Sequence, residues 1–308
     1  MLARLQQALT LGAVLAALLW ALFWVHAGHP GWALVGAVLI VGGYALVLAL
    51  EFLLLRLMHG DDPAPRASAV QLLRAWWGEV LSAPIVFCWR QPFCSRRWPD
   101  HLPPSARGRR GVLLVHGFVC NRGVWNPWLQ RLQAAGVPVV AVNLEPVFSS
   151  IDLLTQAIED GVQRLEACTG QSPVVVCHSM GGLALRRWWA EHGDDARLHH
   201  AITIGTPHHG AWLARLAVSP NARQMQRGSA WLATLMAREP PGRWRRFTCF
   251  YSHCDNIVFP PSTATLAGAD NRHLPGVAHV HMADHDAPWT ELQRHLRTGD
   301  AQAPALGP

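Results

Sequence analysis

Two uninterrupted apolar runs dominate the first fifty residues. Residues 8–28 (ALTLGAVLAALLWALFWVHAG) and 32–50 (WALVGAVLIVGGYALVLAL) carry no Asp, Glu, Lys or Arg over 21 and 19 positions. As helices, each is long enough to cross about 30 Å of hydrocarbon at ~1.5 Å per residue. Only HPG separates them, which predicts a transmembrane helical hairpin over residues 1–60. Arg4 precedes the first run, Arg56, Arg66 and Arg74 follow the second, and the connection has no Arg or Lys. Positive charge is retained on the cytoplasmic side, so both ends are expected there. The expectation is a multi-pass protein of a bacterial inner (cytoplasmic) membrane whose later residues face the cytoplasm. The first run also carries VHA at 25–27, a small-residue signal-cleavage pattern, but its apolar stretch exceeds the ~7–15 residues of a signal core.

Residues 61–110 read as a linker, opened by the proline-broken stretch HGDDPAPRAS at 59–68. Within it, residues 68–89 (SAVQLLRAWWGEVLSAPIVFCW) place apolar positions at helical spacing, with Trp76 and Trp77 prominent. This fits a helix lying in the membrane interface, and equally one packed on the domain behind it.

From residue 111 the pattern changes to short apolar runs alternating with amphipathic stretches. Strands are predicted at 111–118, 137–144, 173–179, 200–206 and 245–252, with a further short one before His279. Helices are predicted at about 123–135, from Ile151 to about Cys168, and from Met180 onward. Apolar strands alternating with helices predict an α/β domain over 111–298, its mostly parallel sheet covered by helices on both faces. Residues 208–245 interrupt the alternation with short Trp-, Met- and Leu-bearing stretches, as expected of a small helical cap. The tail 299–308 is expected to be disordered.

Composition narrows the compartment and partners. Half of the 308 residues are hydrophobic, 15% are charged, and all seven cysteines follow the apolar runs. An odd count without framework spacing suits a reducing compartment, and no CxxC pair suggests structural zinc. The net charge of +6 comes from arginine, since lysine is absent. Arg90, Arg96, Arg97, Arg107, Arg109 and Arg110 cluster just after the membrane segments. Anionic headgroups are therefore nearer partners than nucleic acid, which is not expected; a solvated basic surface is the alternative.

Candidate chemistry lies at strand ends, where open parallel sheets gather their sites. In VVVCHSMGGLA (174–184) a β-branched run turns into a helix through Ser179. So tight a turn requires small residues two positions either side of the serine, exposing its hydroxyl at a helix N-terminus. Gly181 satisfies this; Cys177 does so only partly, which predicts a slight shift of the neighbouring strand. A serine nucleophile needs a base and an orienting carboxylate, which follow in the order Ser, acid, His on such a sheet. Asp255 in CFYSHCDNIVFPP (249–261) and His279 in the GVAH turn supply them in that order. The competing bases are His281, His253 and His285; Asp270, Asp284 and Asp286 are read as loop or helix-start carboxylates. No metal is expected, because neither His279/His281 nor His208/His209 has a carboxylate or thiol spaced to complete a site. The main-chain N–H groups of Met180 and Phe118 are expected to hold the oxyanion.

The segments LLVHGFVCNRGVW, VVVCHSMGGLA, AITIGTPHHG, MQRGSAWL, SHCDNIVFP and GVAHV, in this order, resemble the bacterial α/β-hydrolase lipases and esterases that carry GHSMGG and GTPHHGT. The resemblance spans 111 to about 297. It implies an α/β-hydrolase fold, an acyl-ester hydrolase with Ser179, Asp255 and His279 as triad, no cofactor, and a cap over the site. Trp212 and Trp231 in that cap are candidate substrate-binding residues. The chain departs from the pattern at Cys177, Ala211 and Ala278, which replace glycine, threonine and glycine. The expected activity is cleavage of hydrophobic acyl esters, lipid among them, at the membrane. A non-catalytic membrane-anchored binding protein and an acyltransferase using the same triad are the alternatives, and the oligomeric state is left open.

Overall fold

The computed structural model describes residues 1–240 and 242–297; the tail 299–308 lies outside the described residues. Its centre is a six-stranded sheet of β1 (Val112–Val115), β2 (Val139–Ala141), β3 (Val174–His178), β4 (His200–Ile204), β5 (Phe247–Tyr251) and β6 (Asp270–His273). The spatial order is β2-β1-β3-β4-β5-β6 and every neighbouring pair is parallel. In β1 to β5 strand residues alternate between the two faces, and both faces are apolar; the edge strand β6 is polar and at most half-buried. Leu113, Val115, Val175 and Cys177 enter one core cluster, while Val112, Leu114, Val174 and Val176 enter the other. Burial on both sides is why these strands read as continuous apolar runs.

Helices cover each face. Helices α7 (Thr155–Thr169) and α8 (Met180–His192) pack Ile158, Val162, Leu183 and Trp188 on the first; α6 (Asn126–Ala134) and α11 (Asp286–Arg297) pack Trp128, Leu132, Trp289 and Leu292 on the second. The segment between β4 and β5 forms short helices, including α9 (Pro220–Gln224) and α10 (Ala230–Ala237). It is rooted in the domain by the buried Arg186 of α8, which grips Glu239 at 2.9 and 2.7 Å.

The N-terminal region departs from a simple hairpin. One helix, α1 (Leu2–His26), is long and apolar enough to cross a membrane. The expected second span at 32–50 consists of α2 (Pro30–Gly42) and α3 (Tyr44–Leu57), which pass the same test only together and are bent by 53°. The bend falls at the Gly42-Gly43 pair, where helices commonly kink. Beyond it α3 turns onto the α/β domain: Phe52 and Leu55 pack with Ala75, Cys254, Phe259 and Ala278.

Helix α4 (Ala69–Pro84) starts at a capping box of Ser68 and Gln71, continues through a π-helical turn at Ile85–Arg90, and ends in α5 (Gln91–Phe93). Its two sides differ. Val70, Leu73, Trp77, Leu81, Ile85 and Trp89, spaced three or four apart, are exposed, while Ala75, Glu79 and Val86 are buried against the domain.

The contact between α8 and the sheet leaves no room at its first turn. A Cβ on Gly181 would stand 2.6 and 2.7 Å from the carbonyl oxygens of His116 and Val115, and one on Gly182 would stand 2.3 Å from Thr206 Oγ1. Gly181→Ala is therefore expected to lower unfolding stability by about 1–3 kcal/mol. A thermal or denaturant melt indistinguishable from wild type would contradict this packing.

Candidate active site

Ser179 ends β3 and precedes α8 with φ 55° and ψ −129°. Among the described residues only Ser179 and Val119 are non-glycine positions with positive φ. Such strain persists only when surrounding packing over-determines it. Here the glycines of α8 supply that packing, and Cys177 is accommodated as a fully buried core residue paired with Val115 and Thr203. The loop after β1 closes on the serine: a Cβ on Gly117 would stand 2.8 Å from Ser179 Cβ.

That loop is pinned by His116. The Leu144 N–H donates to His116 Nε2 at 2.9 Å, so Nδ1 carries the ring proton and donates to Gly117 O at 2.9 Å. Burial lowers the ring to about 4, which keeps it neutral. Phe118, in the β1 loop, follows Gly117, and Met180 opens α8 directly after Ser179. Among the described residues neither N–H finds a backbone acceptor.

Asp255 lies in the loop after β5 and is 1% exposed. Its Oδ1 accepts the N–H groups of Ile257 and Val258 at 2.9 and 2.7 Å, while Oδ2 accepts His279 Nδ1–H at 2.9 Å. This fixes the imidazole tautomer and leaves Nε2 with its lone pair. Burial works against the imidazolium, but the charge and hydrogen bond of Asp255, aided by Glu79 and Glu51, outweigh it; His279 therefore lies above the ordinary 6.5. His178 also touches the base: its Nε2 donates to His279 O at 3.1 Å and the ring centroids are 4.7 Å apart.

Among the described residues no hydrogen bond joins Ser179 Oγ to His279. The three residues meet around the end of β4 instead. Ser179 N–H donates to Ile204 O at 2.9 Å, and a Cβ on the next residue, Gly205, would stand 3.0 Å from Asp255 Oδ2 and 3.1 Å from the His279 ring. Resting enzymes often hold such contacts long until substrate binds.

The competing groups are engaged elsewhere. His281 lies two residues on with its N–H bonded to Glu79, His285 Nδ1 accepts Ala287 N–H, and buried His253 packs its ring at a tilt against His273. Asp270 pairs with Arg272, Asp284 with Arg90, and Asp286 with Arg131. His208 is buried against Thr203 and Arg186. In the cap, Trp212 stacks on Phe259, whereas the Trp231 indole donates to Asp152 at 3.0 Å on the α7 side. The side chains of His200, Glu291 and His295 converge within 4.8 Å at the opposite end of β4, where Arg272 and Arg294 already neutralise Glu291.

Sequence reasoning missed Glu51, Glu79 and Asn256. Glu51 is the only acidic residue among the first sixty, and Glu79 the only one between Asp62 and Asp100. Lone carboxylates in such apolar surroundings were the available signal.

A parallel sheet with helices on both faces and a strained serine between β3 and α8 defines an α/β-hydrolase architecture. A model of the alpha/beta hydrolase family matches residues 112–306, and the chain belongs to that family. Among solved structures, the mature form of Bacillus licheniformis lipase BlEst2 aligns with a TM-score of 0.54 at 16% identity, covering 64% of this chain and 94% of that one. The propeptide form of the same lipase aligns with a TM-score of 0.54 at 17% identity, over 68% of this chain and 54% of that one. This chain therefore spans about half of the propeptide form. At such identities the likeness concerns the fold. No curated protein sequence matches the chain.

If His279 is the base, it must lose its proton before Ser179 can be activated. A raised pKa delays that loss, so reaction of Ser179 with a fluorophosphonate is expected to rise with pH through a midpoint above 6.5. Asp255→Asn is expected to slow the reaction by roughly 10³–10⁴-fold. A midpoint at or below 6.5 in wild type contradicts the electrostatic account.

Proposed function

We propose that the chain is a membrane-anchored serine hydrolase that cleaves carboxylic esters of hydrophobic acyl substrates. The observation that carries this reading is the strained Ser179 corner beside the buried Asp255–His279 pair. The lipases among its structural neighbours support the ester class.

Ser179 Oγ attacks the ester carbonyl as His279 Nε2 takes its proton, and the carbonyl electrons move to oxygen. The N–H groups of Phe118 and Met180 hold that oxyanion. Collapse expels the alkoxide, which receives the proton from the imidazolium, and leaves an acyl-Ser179. Water, deprotonated by His279, then attacks the acyl carbon; collapse breaks the bond to Ser179 Oγ, which takes the proton back from the imidazolium, and the carboxylic acid leaves. Asp255 keeps the imidazole in the Nδ1–H tautomer and offsets its transient charge.

Anchoring is supported by α1, whose apolar window is only 6% buried, and by the exposed stripe of α4. With α2 and α3 together taken as the second crossing, arginine placement favours a cytoplasmic active site. Lipidic esters, concentrated in the bilayer, would thus meet the enzyme at its surface.

A fluorophosphonate is expected to label Ser179 in the full chain, and Ser179→Ala to abolish labelling. Attachment at another residue, or none in cooperatively folded protein, defeats the hydrolase reading. Separately, the full chain is expected to remain with vesicles through alkaline carbonate extraction; release would remove the anchor and leave the chemistry standing.

A further inference from the structure

Two carboxylates from the N-terminal helices reach the loops that carry the acid and the base, and the reaction outlined above leaves them unused. Glu79 of α4 is 1% exposed. Its Oε1 accepts Val280 N–H at 2.9 Å and its Oε2 accepts His281 N–H at 3.1 Å. Glu51 of α3 accepts Asn256 Nδ2–H at 2.7 Å, and Asn256 Oδ1 accepts His279 N–H at 3.2 Å. Three successive amides, 279 to 281, are thus held by groups that end on these two helices. The approach of α4 is close, since a Cβ on Gly78 would stand 2.9 Å from His281 Nδ1.

A simple brace would need only neutral acceptors. Burying a carboxylate is costly unless something offsets the charge. The charge of Glu79, held on the two amides that follow His279, acts on the imidazole that must become positive during the reaction. The groups facing His279 are Asp255 from the β5 loop, Glu79 from α4, Glu51 from α3 and His178 from β3. Those facing Glu79 are His279, Asp255 and the two amides it accepts. Burial holds His178 neutral and pushes Glu79 up to about 7.

We propose that Glu79 and Glu51 are positioning residues of this active site: together they hold the main chain of His279 and its neighbours, and the Glu79 carboxylate stabilises the imidazolium. The inference rests on the triad reading. It makes the N-terminal segment part of the catalytic apparatus rather than a tether alone.

The test is the pH dependence of fluorophosphonate labelling of the full chain, compared among wild type, Glu79→Gln, Glu51→Gln and Glu51→Leu. Glu79→Gln is expected to label roughly tenfold or more slowly on the alkaline plateau, because the base is misplaced. Its acid limb should move to lower pH, because removing negative charge lowers the pKa of His279. Glu51→Gln, which retains an oxygen for Asn256, should slow labelling less than Glu51→Leu. Wild-type rate and midpoint in Glu79→Gln would overturn the proposal, as would a slower rate with an unmoved midpoint. Should Glu79→Gln fail to melt cooperatively, the Glu51 pair decides, and equal wild-type rates in both overturn it. Wild type that is not labelled at Ser179 sinks the triad reading instead, a result distinct from all of these.

Discussion

The close approach of α8 to β1 is the contact on which the site depends. Gly181 lies where any side chain would strike two carbonyl oxygens, so the chain must leave β3 and enter α8 within one residue. Ser179 takes that turn in a conformation non-glycine residues rarely adopt. The carbonyls it packs toward belong to Val115 and His116, directly before Gly117 and Phe118. One steric constraint therefore sets the distance between the serine and the β1 loop. Neutral His116, bonded to both Gly117 and Leu144, keeps that loop from relaxing.

Electrostatics around His279 follow from competition between burial and charge. Burial alone lowers an imidazole, as His116 and His178 illustrate at about 4 and about 3. His279 is equally enclosed, yet it shifts the opposite way because carboxylates face it. The site thus contains three enclosed imidazoles with divided tasks. Two are fixed neutral and act through hydrogen bonds; one is placed where protonation is favoured.

Much of the fold was legible because its signals are local. The first five strands are apolar runs bounded by glycine, proline or polar residues, whereas the edge strand β6 is polar, and Ser179 announced itself through Gly181 and Gly182. What the sequence could not reveal was long-range. The Gly42-Gly43 pair lay inside an apolar run that reads as one span, and neither the 53° bend there nor the packing of Phe52 and Leu55 on the domain beyond it shows in hydropathy. Trp212 and Trp231 look alike in the cap sequence but lie against Phe259 and Asp152, because aromatic content does not say which surface covers a side chain. The contacts of Glu51 and Glu79 join residues more than two hundred positions from them, a separation at which no spacing rule operates.

Helix α4 and the turn that continues it have two faces of opposite character. A helix exposed to water on its outer side would carry polar residues there; this one carries Val70, Leu73, Trp77, Leu81, Ile85 and Trp89. A helix serving only as an interfacial float would have no reason to bury Glu79 on its inner side. Both features sit on one rigid element, and Glu79 is only two residues from Trp77 and Leu81. Displacement of α4 would pull directly on the amides after His279, whereas displacement of α1 would reach the base only through intervening helices. The geometry therefore makes α4, rather than the long apolar helix α1, the element that carries both an exposed apolar face and direct bonds to the amides that follow His279.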